Sequence, residues 1–403
     1  MTTEKVSLLS HRVQVMEESQ TIGMAKKARE LASQGFDVVN LSFGEPDFPT
    51  PDHIKEAAKR AIDEGFTFYT PVAGYPDLKK AICEKFLRDN NLQFKPENIV
   101  VSTGAKQSIA NVILCLVDPG DEVVIIGPYW VSYLEIVKLA EGTPVIVTGV
   151  FENQYKPTIS EIENAITPKT KAILYSSPSN PTGAVFSKEE LEQLADVLVR
   201  NPGIVAIADE IYEYINFVGK HESLGAIDRV RDQVVTINGL SKGFSMTGWR
   251  LGFMGAPKWI ADACDKIQGQ FTSGANSITQ RAAITALTST LEPSTEMTRR
   301  FKIRRDLVLE KCESIPGFKN MIPDGAFYLF PDVSFYLGKK APDGSVIETS
   351  MDLCMYILNN AHVSVVPGDA FGAGQCLRIS FAAADEKLII AFDRIKEALS
   401  KLA

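Results

Sequence analysis

Between residues 99 and 255 the chain repeats one pattern: a short, nearly unbroken apolar run rich in β-branched residues, usually followed by a segment long enough for a helix. The runs are Ile99–Ser102, Val123–Ile126, Val145–Thr148, Ala172–Tyr175, Ile204–Ala208, Val234–Ile237 and Gly252–Gly255. A strand that is apolar on both sides has no face to offer water and must be covered above and below. Helical crossovers do this, and they make neighbouring strands parallel. The fold class this implies is α/β, with a mainly parallel seven-stranded sheet flanked by helices. Such sheets bind ligands beyond the carboxyl ends of their strands. The chemically distinctive residues fall there: Gly104, Trp130, Asn180, Asp209 and Lys242 follow the first, second, fourth, fifth and sixth runs.

A chain of 403 residues exceeds the size at which one core usually stops growing, so two domains are expected. Residues 46–290 read as the large one, and residues 291–403 as a smaller α+β unit. The latter contains a helix from Ser294 to about Ser314, an aromatic strand Ala326–Phe330, strands Val363–Val366 and Leu377–Phe381, and a closing amphipathic helix. Residues 1–45 begin irregularly, then place Ala25, Ala28, Leu31 and Ala32 at helical spacing before Gly35. A short strand from Val38 leads into the turn Gly44-Glu45-Pro46-Asp47.

The formal net charge is −8, which argues against a phosphate backbone as partner. The basic stretch Arg299–Arg305, set among acidic neighbours such as Glu296, Asp306 and Glu310, reads as a solvated helix face. Six scattered cysteines and four dispersed histidines form neither a disulfide framework nor a zinc site, and reduced thiols are expected. Met1–Ser10 has no signal-peptide core, and no run approaches the length of a membrane span. A cytoplasmic protein that binds neither membrane nor nucleic acid is the expectation.

Several residues suggest chemistry on their own. Lys242 sits on a turn between two apolar segments, and a desolvated amine near another cation is nucleophilic at neutral pH. Ser102-Thr103-Gly104-Ala105-Lys106 is a strand, a glycine turn and a helix start, a place that suits an anion. Asp209 ends a wholly apolar strand, where a carboxylate needs a partner. Arg378 lies in an alternating strand, Cys376–Phe381, and could equally form a surface ion pair.

The string Ser241-Lys242-Gly243-Phe244-Ser245-Met246-Thr247-Gly248-Trp249-Arg250 resembles the lysine motif of class I pyridoxal-phosphate (PLP) aminotransferases, of fold type I. Ser177-Pro178-Ser179-Asn180-Pro181-Thr182-Gly183, Pro128-Tyr129-Trp130, Gly44-Glu45-Pro46-Asp47-Phe48 and Tyr69-Thr70-Pro71 resemble further motifs of that family. The likeness runs nearly the full length and is nearest to bacterial-type aspartate aminotransferases. It implies that Lys242 is catalytic and carries pyridoxal 5′-phosphate as an internal aldimine. Gly104, Ala105, Lys106, Ser241 and Arg250 would surround the phosphate, and Trp130 would stack on the ring. Asn180 and Tyr212 would reach the ring oxygen, and Asp209 the pyridinium nitrogen. Tyr69 would cross to the neighbouring subunit of a homodimer. Arg378 would clamp the substrate carboxylate beside Gly44, Trp130 and Asn180, while Lys106 and Thr21 would read a distal carboxylate. The resemblance also sets residues 1–45 beside the C-terminal unit. One departure is Gly239, where many relatives have a phosphate-binding Ser; Ser241 or Asn238 would have to replace it. The implied reaction is ping-pong transfer between L-aspartate or a related amino acid and 2-oxoglutarate. Prephenate, alanine or aromatic substrates remain alternatives, as do a PLP-dependent C–S lyase and, more remotely, a non-catalytic regulator.

Overall fold

The computed structural model describes residues 8–403; the first seven, part of the stretch Met1–Ser10 read above, lie outside it. All seven apolar runs are strands: β2 (Ile99–Ser102), β3 (Glu122–Gly127), β4 (Thr143–Thr148), β5 (Thr170–Ser176), β6 (Val205–Asp209), β7 (Val234–Gly239) and β8 (Gly252–Gly255), numbered after β1 (Val39–Asn40). They form one sheet in the order β2-β8-β7-β6-β5-β3-β4. Only β8 runs against its neighbours β2 and β7. Side-chain alternation explains why both faces are apolar. Val123, Ile125, Ala172 and Leu174 pack with Ile109 and Ile260 of helices Ala105–Leu116 and Lys258–Phe271. Val124, Ile126, Ile173 and Tyr175 pack with Leu191 and Leu194 of helix Lys188–Arg200. The inner strands are thus clothed twice, while the edge strand β4 leaves Ile146 exposed.

The remaining strands are short: β9 (Tyr328–Leu329), β10 (Val363–Ser364), β11 (Val366–Pro367) and β12 (Leu377–Ser380). They make a β11-β12-β9 sheet and a parallel β1-β10 pair, with Val39 opposite Val363. The run Val363–Val366, read as one strand, is two strands in different sheets that part at Val365. Of the aromatic run only Tyr328–Leu329 is strand, and on its amino-terminal side Ala326 takes a left-handed φ of 57°.

The reading of Arg299–Arg305 as a solvated face needs correction. Arg299, Lys302 and their acidic partners are exposed, but Arg304 and Arg305 are buried on helix Glu292–Glu313. Arg304 donates to both oxygens of Asp47 at 2.7 and 3.0 Å and to Asp385 at 3.0 Å. Charge spacing alone does not reveal that partners distant in sequence would cover one side of the helix.

Candidate active site

At the carboxyl edge of the parallel strands lies a cavity of about 320 Å³. Because β8 is reversed, its beginning meets this edge, and Arg250, just before it, arrives beside the β2 turn. Gly104 caps helix Ala105–Leu116 at φ +89°, ψ 157°, and a Cβ there would meet Arg250 Nη2 at 2.5 Å. Free helix N–H groups and a guanidinium therefore share one end of the cavity.

Lys242 follows β7 and donates to the Gly44 carbonyl. Burial lowers its pKa to about 8, opposed by Glu45 and assisted by Arg378 and Arg250. Asp209 closes β6; burial pushes its pKa up to about 6, while the hydroxyl of Tyr133, donating at 2.6 Å, works the other way. Tyr212 shares a 2.7 Å hydroxyl contact with Tyr328.

Arg378, only 2% exposed on β12, donates to Asn180 Oδ1 at 3.0 Å and to the Ser42 carbonyl at 2.7 Å. Its guanidinium lies 4.5 Å from the ring centre of Tyr328 and 4.9 Å from that of Phe371. Nε has no partner in the protein. A desolvated fork with donors to spare can accept a carboxylate. Lys106 Nζ stands 4.9 Å over the Trp130 ring, its pKa lowered by burial and then by Arg250. The Thr21 hydroxyl is buried at the cavity without a partner.

Residues 37–395 match the family described as Aminotransferase class I and II. This chain belongs to that family. The aminotransferase is 44% identical to a probable aspartate/prephenate aminotransferase of Rhizobium leguminosarum bv. phaseoli, over 97% of this chain and 98% of that one. It is 42% identical to the aspartate aminotransferase of Bacillus subtilis (strain 168), over 98% and 99%. Among solved structures, the aspartate aminotransferase from Rhizobium meliloti superposes with a TM-score of 0.95 at 40% identity, covering 99% of this chain and all of that one. The Thermus thermophilus enzyme, solved with maleate, gives 0.91 at 41% identity, covering 98% of this chain and all of that one.

The aminotransferase gathers Thr21, Gly44, Ala105, Lys106, Trp130, Asn180, Asp209, Tyr212, Ser241, Lys242, Arg250 and Arg378 around the cavity, with Gly104 just behind Ala105. Tyr69 is not brought there; it is 96% exposed beside the equally prominent Phe68. Of the two possible replacements at the departure, Ser241 lines the cavity and Asn238 does not, its Oδ1 accepting from the Gly239 amide instead. A Cβ at Gly239 would meet the β8 backbone at 3.0 Å, so a serine there requires that backbone to give by a few tenths of an ångström. Sequence reasoning missed Tyr133 and Tyr328, which line the cavity and support Asp209, Tyr212 and Arg378. Their only sequence signal was an aromatic near a strand end, which core packing explains equally well.

Proposed function

We propose that this aminotransferase uses pyridoxal 5′-phosphate to exchange amino groups between L-aspartate or L-glutamate and their 2-oxo acids. The observation that carries the reading is a cavity whose charged lining is Lys106, Lys242, Arg250 and Arg378 against the single carboxyl of Asp209. That set suits a phosphate, a protonated ring nitrogen and the carboxylates of an acidic substrate together. Unpartnered groups support the fit: Arg378 Nε and the Thr21 hydroxyl are orphaned, and Gly104 leaves the helix amides open beside Arg250.

When bound, the cofactor supplies a carbonyl that takes up the amino nitrogen and a ring that holds the electron pair left as the α-proton departs. The rest falls to the chain. Arg250, Ser241 and the amides after Gly104 hold the phosphate, Trp130 covers the ring, and Asp209 keeps its nitrogen protonated. Asn180 and Tyr212 fix the ring oxygen. Arg378 docks the α-carboxylate beside Gly44. Lys242, whose amine burial brings to a pKa of about 8, holds the cofactor between turnovers and then moves the proton from the substrate's α-carbon. Release of one 2-oxo acid before entry of the next makes the exchange ping-pong.

Lys106 and Thr21 read the distal carboxylate, and the T. thermophilus relative solved with the dicarboxylate maleate supports an acidic substrate. A second substrate, prephenate, is favoured by the relatives named aspartate/prephenate aminotransferase at 44% identity. The working unit is a homodimer in which the exposed Tyr69 completes the neighbouring cavity. Residues 46–290 form the large domain and residues 291–403 the small one, joined by the part of the N-terminal segment from Gln20 to β1, a division that the β1-β10 pair supports. Six unpaired cysteines suit the cytoplasm; among the described residues no helix is long and apolar enough to cross a membrane.

The test is an absorbance spectrum of the purified protein, borohydride fixation with peptide mapping, and a panel of amino donors against 2-oxoglutarate. Label on Lys242 with aspartate as best donor is the expected result. A label elsewhere, or no uptake of cofactor, refutes the assignment.

A further inference from the structure

The turn that follows β6 faces two ways. Asp209, Ile211 and Tyr212 line the cavity, whereas Glu210 and Glu213 do not. Both glutamates are buried in a second polar cluster. Lys85, fully buried on helix Pro76–Asn90, pairs with Glu213 and donates to Asn90 Oδ1 at 2.5 Å. Asn90 Nδ2 donates to Glu210 at 3.1 Å and to Glu213 at 2.7 Å, and Ser223 donates to Glu210 at 2.6 Å. His221 Nε2 lies 3.0 Å from Glu210 Oε2, an ionic contact not aligned as a hydrogen bond. The cluster also touches the turn of Lys242, because Tyr214, under the Lys85 ammonium, packs so close to Gly243 that a Cβ there would meet its ring at 2.5 Å.

The charges balance only if His221 carries a proton. Lys85 answers Glu213, and Asp89, 3.7 Å from Lys85, is held by Arg88. Glu210 is left facing His221. Burial opposes the imidazolium, but the charges of Glu210 and Glu213 outweigh it, and the imidazole holds its proton more tightly than in water. Glu210, Glu213 and His221 bring ligand atoms within 4.8 Å of one another, yet Lys85 already sets a cation there and a protonated imidazole cannot coordinate a metal. His221 also lines a cleft of about 580 Å³. The other charged groups of that cleft are Lys188, Glu192, Lys220, Glu222, Asp228 and Arg229, three of each sign.

We propose that His221 is a positioning residue for the aminotransferase reaction: its imidazolium neutralises Glu210 and so keeps the adjoining Asp209 ionised on a fixed turn. This rests on the assignment of Asp209 to the cofactor ring. An uncompensated Glu210 makes a second negative charge beside it unfavourable, as the direction of its influence on Asp209 indicates. Loss of the imidazolium therefore lets Asp209 keep a proton to higher pH.

The test compares holoenzymes: wild type, His221→Gln, Glu210→Gln and the double variant, reading the pH profile of kcat, the pH titration of the bound cofactor's absorbance, and thermal melting. His221→Gln should move the acid limb of both profiles upward by about one pH unit, roughly a tenfold loss of rate below it. Glu210→Gln in the same background should return the limb to its wild-type position. A limb that stays put in His221→Gln, or a shift that persists in the double variant, overturns the proposal. Should His221→Gln fail to fold, His221→Lys keeps a cation at the site and must leave the limb in place. Asp209→Asn in parallel separates the two readings. If it keeps wild-type activity and absorbance, the ring assignment falls; if it is inactive while His221→Gln is unchanged, only the role of His221 falls.

Discussion

Gly104→Ala perturbs one atom, and its effect can be worked from the backbone. Gly104 sits at φ +89°, ψ 157°, a region essentially closed to residues with a Cβ. Forcing alanine into it costs about 1–3 kcal/mol of stability. The new methyl would also lie 2.5 Å from Arg250 Nη2 and 3.1 Å from Cζ. The tip of an arginine can swing away, so this clash adds little to unfolding. The displacement instead removes the guanidinium from the end of the cavity proposed for the cofactor phosphate, where a charge-assisted hydrogen bond would contribute about 1.5–3 kcal/mol, or roughly 10–150-fold in cofactor affinity. Thermal melting of the apo-protein measures the first effect, and absorbance titration with pyridoxal phosphate measures the second. Gly104→Ala in an Arg250→Ala background should weaken cofactor binding little further, because the contact is already gone. If Gly104→Ala melts and binds cofactor as wild type does, the positive φ and the close approach carry none of the weight given them.

Lys242 has a pKa of about 8, depressed by burial from 10.5, so the unfolded chain binds the extra proton between those values. Stability of the apo-protein should therefore gain from Lys242 as pH rises through that window, and the gain should vanish in Lys242→Ala by pH-dependent denaturation. Arg378→Lys replaces a stacked, forked donor by a point charge; KM for aspartate should rise by about 10–100-fold in steady-state assays, at far smaller cost to melting temperature. Tyr133→Phe removes the 2.6 Å donor to Asp209, whose carboxyl then binds its proton more tightly, and cofactor affinity should fall several-fold, or by about 1 kcal/mol, in the same titration. Arg304→Met leaves Asp47 and Asp385 without their shared partner and should lower stability by about 2–3 kcal/mol in urea.

The large sheet was legible because its physics is local. Ile99–Ser102 and Gly252–Gly255 are apolar runs whose ends are the strand ends, and double-sided burial leaves little else for them to be. The reversal of β8 carried no such signal. A buried strand looks alike in either direction, yet that reversal brings Arg250 to Gly104. The cavity residues were legible through long motifs, whereas Tyr133, Tyr328 and Arg304 were not. Their surroundings come from segments 76, 116 and 257 positions away, a dependence that composition and spacing do not encode. The break at Val365 was hidden for the same reason, since each half of that run answers to a different distant strand.

The β1-β10 ladder has a consequence for how the protein is made. Val39 leaves the ribosome about 320 residues before Val363, its partner. At ordinary elongation speeds that is an interval of roughly 15–65 s. During it the nascent amino-terminal helix Gln20–Ser33, whose Met24, Ala25 and Ala28 are buried in the finished fold, has no docking surface from β10 or β11. Chaperone traffic on this chain should therefore concentrate at its beginning and ease only as translation nears its end.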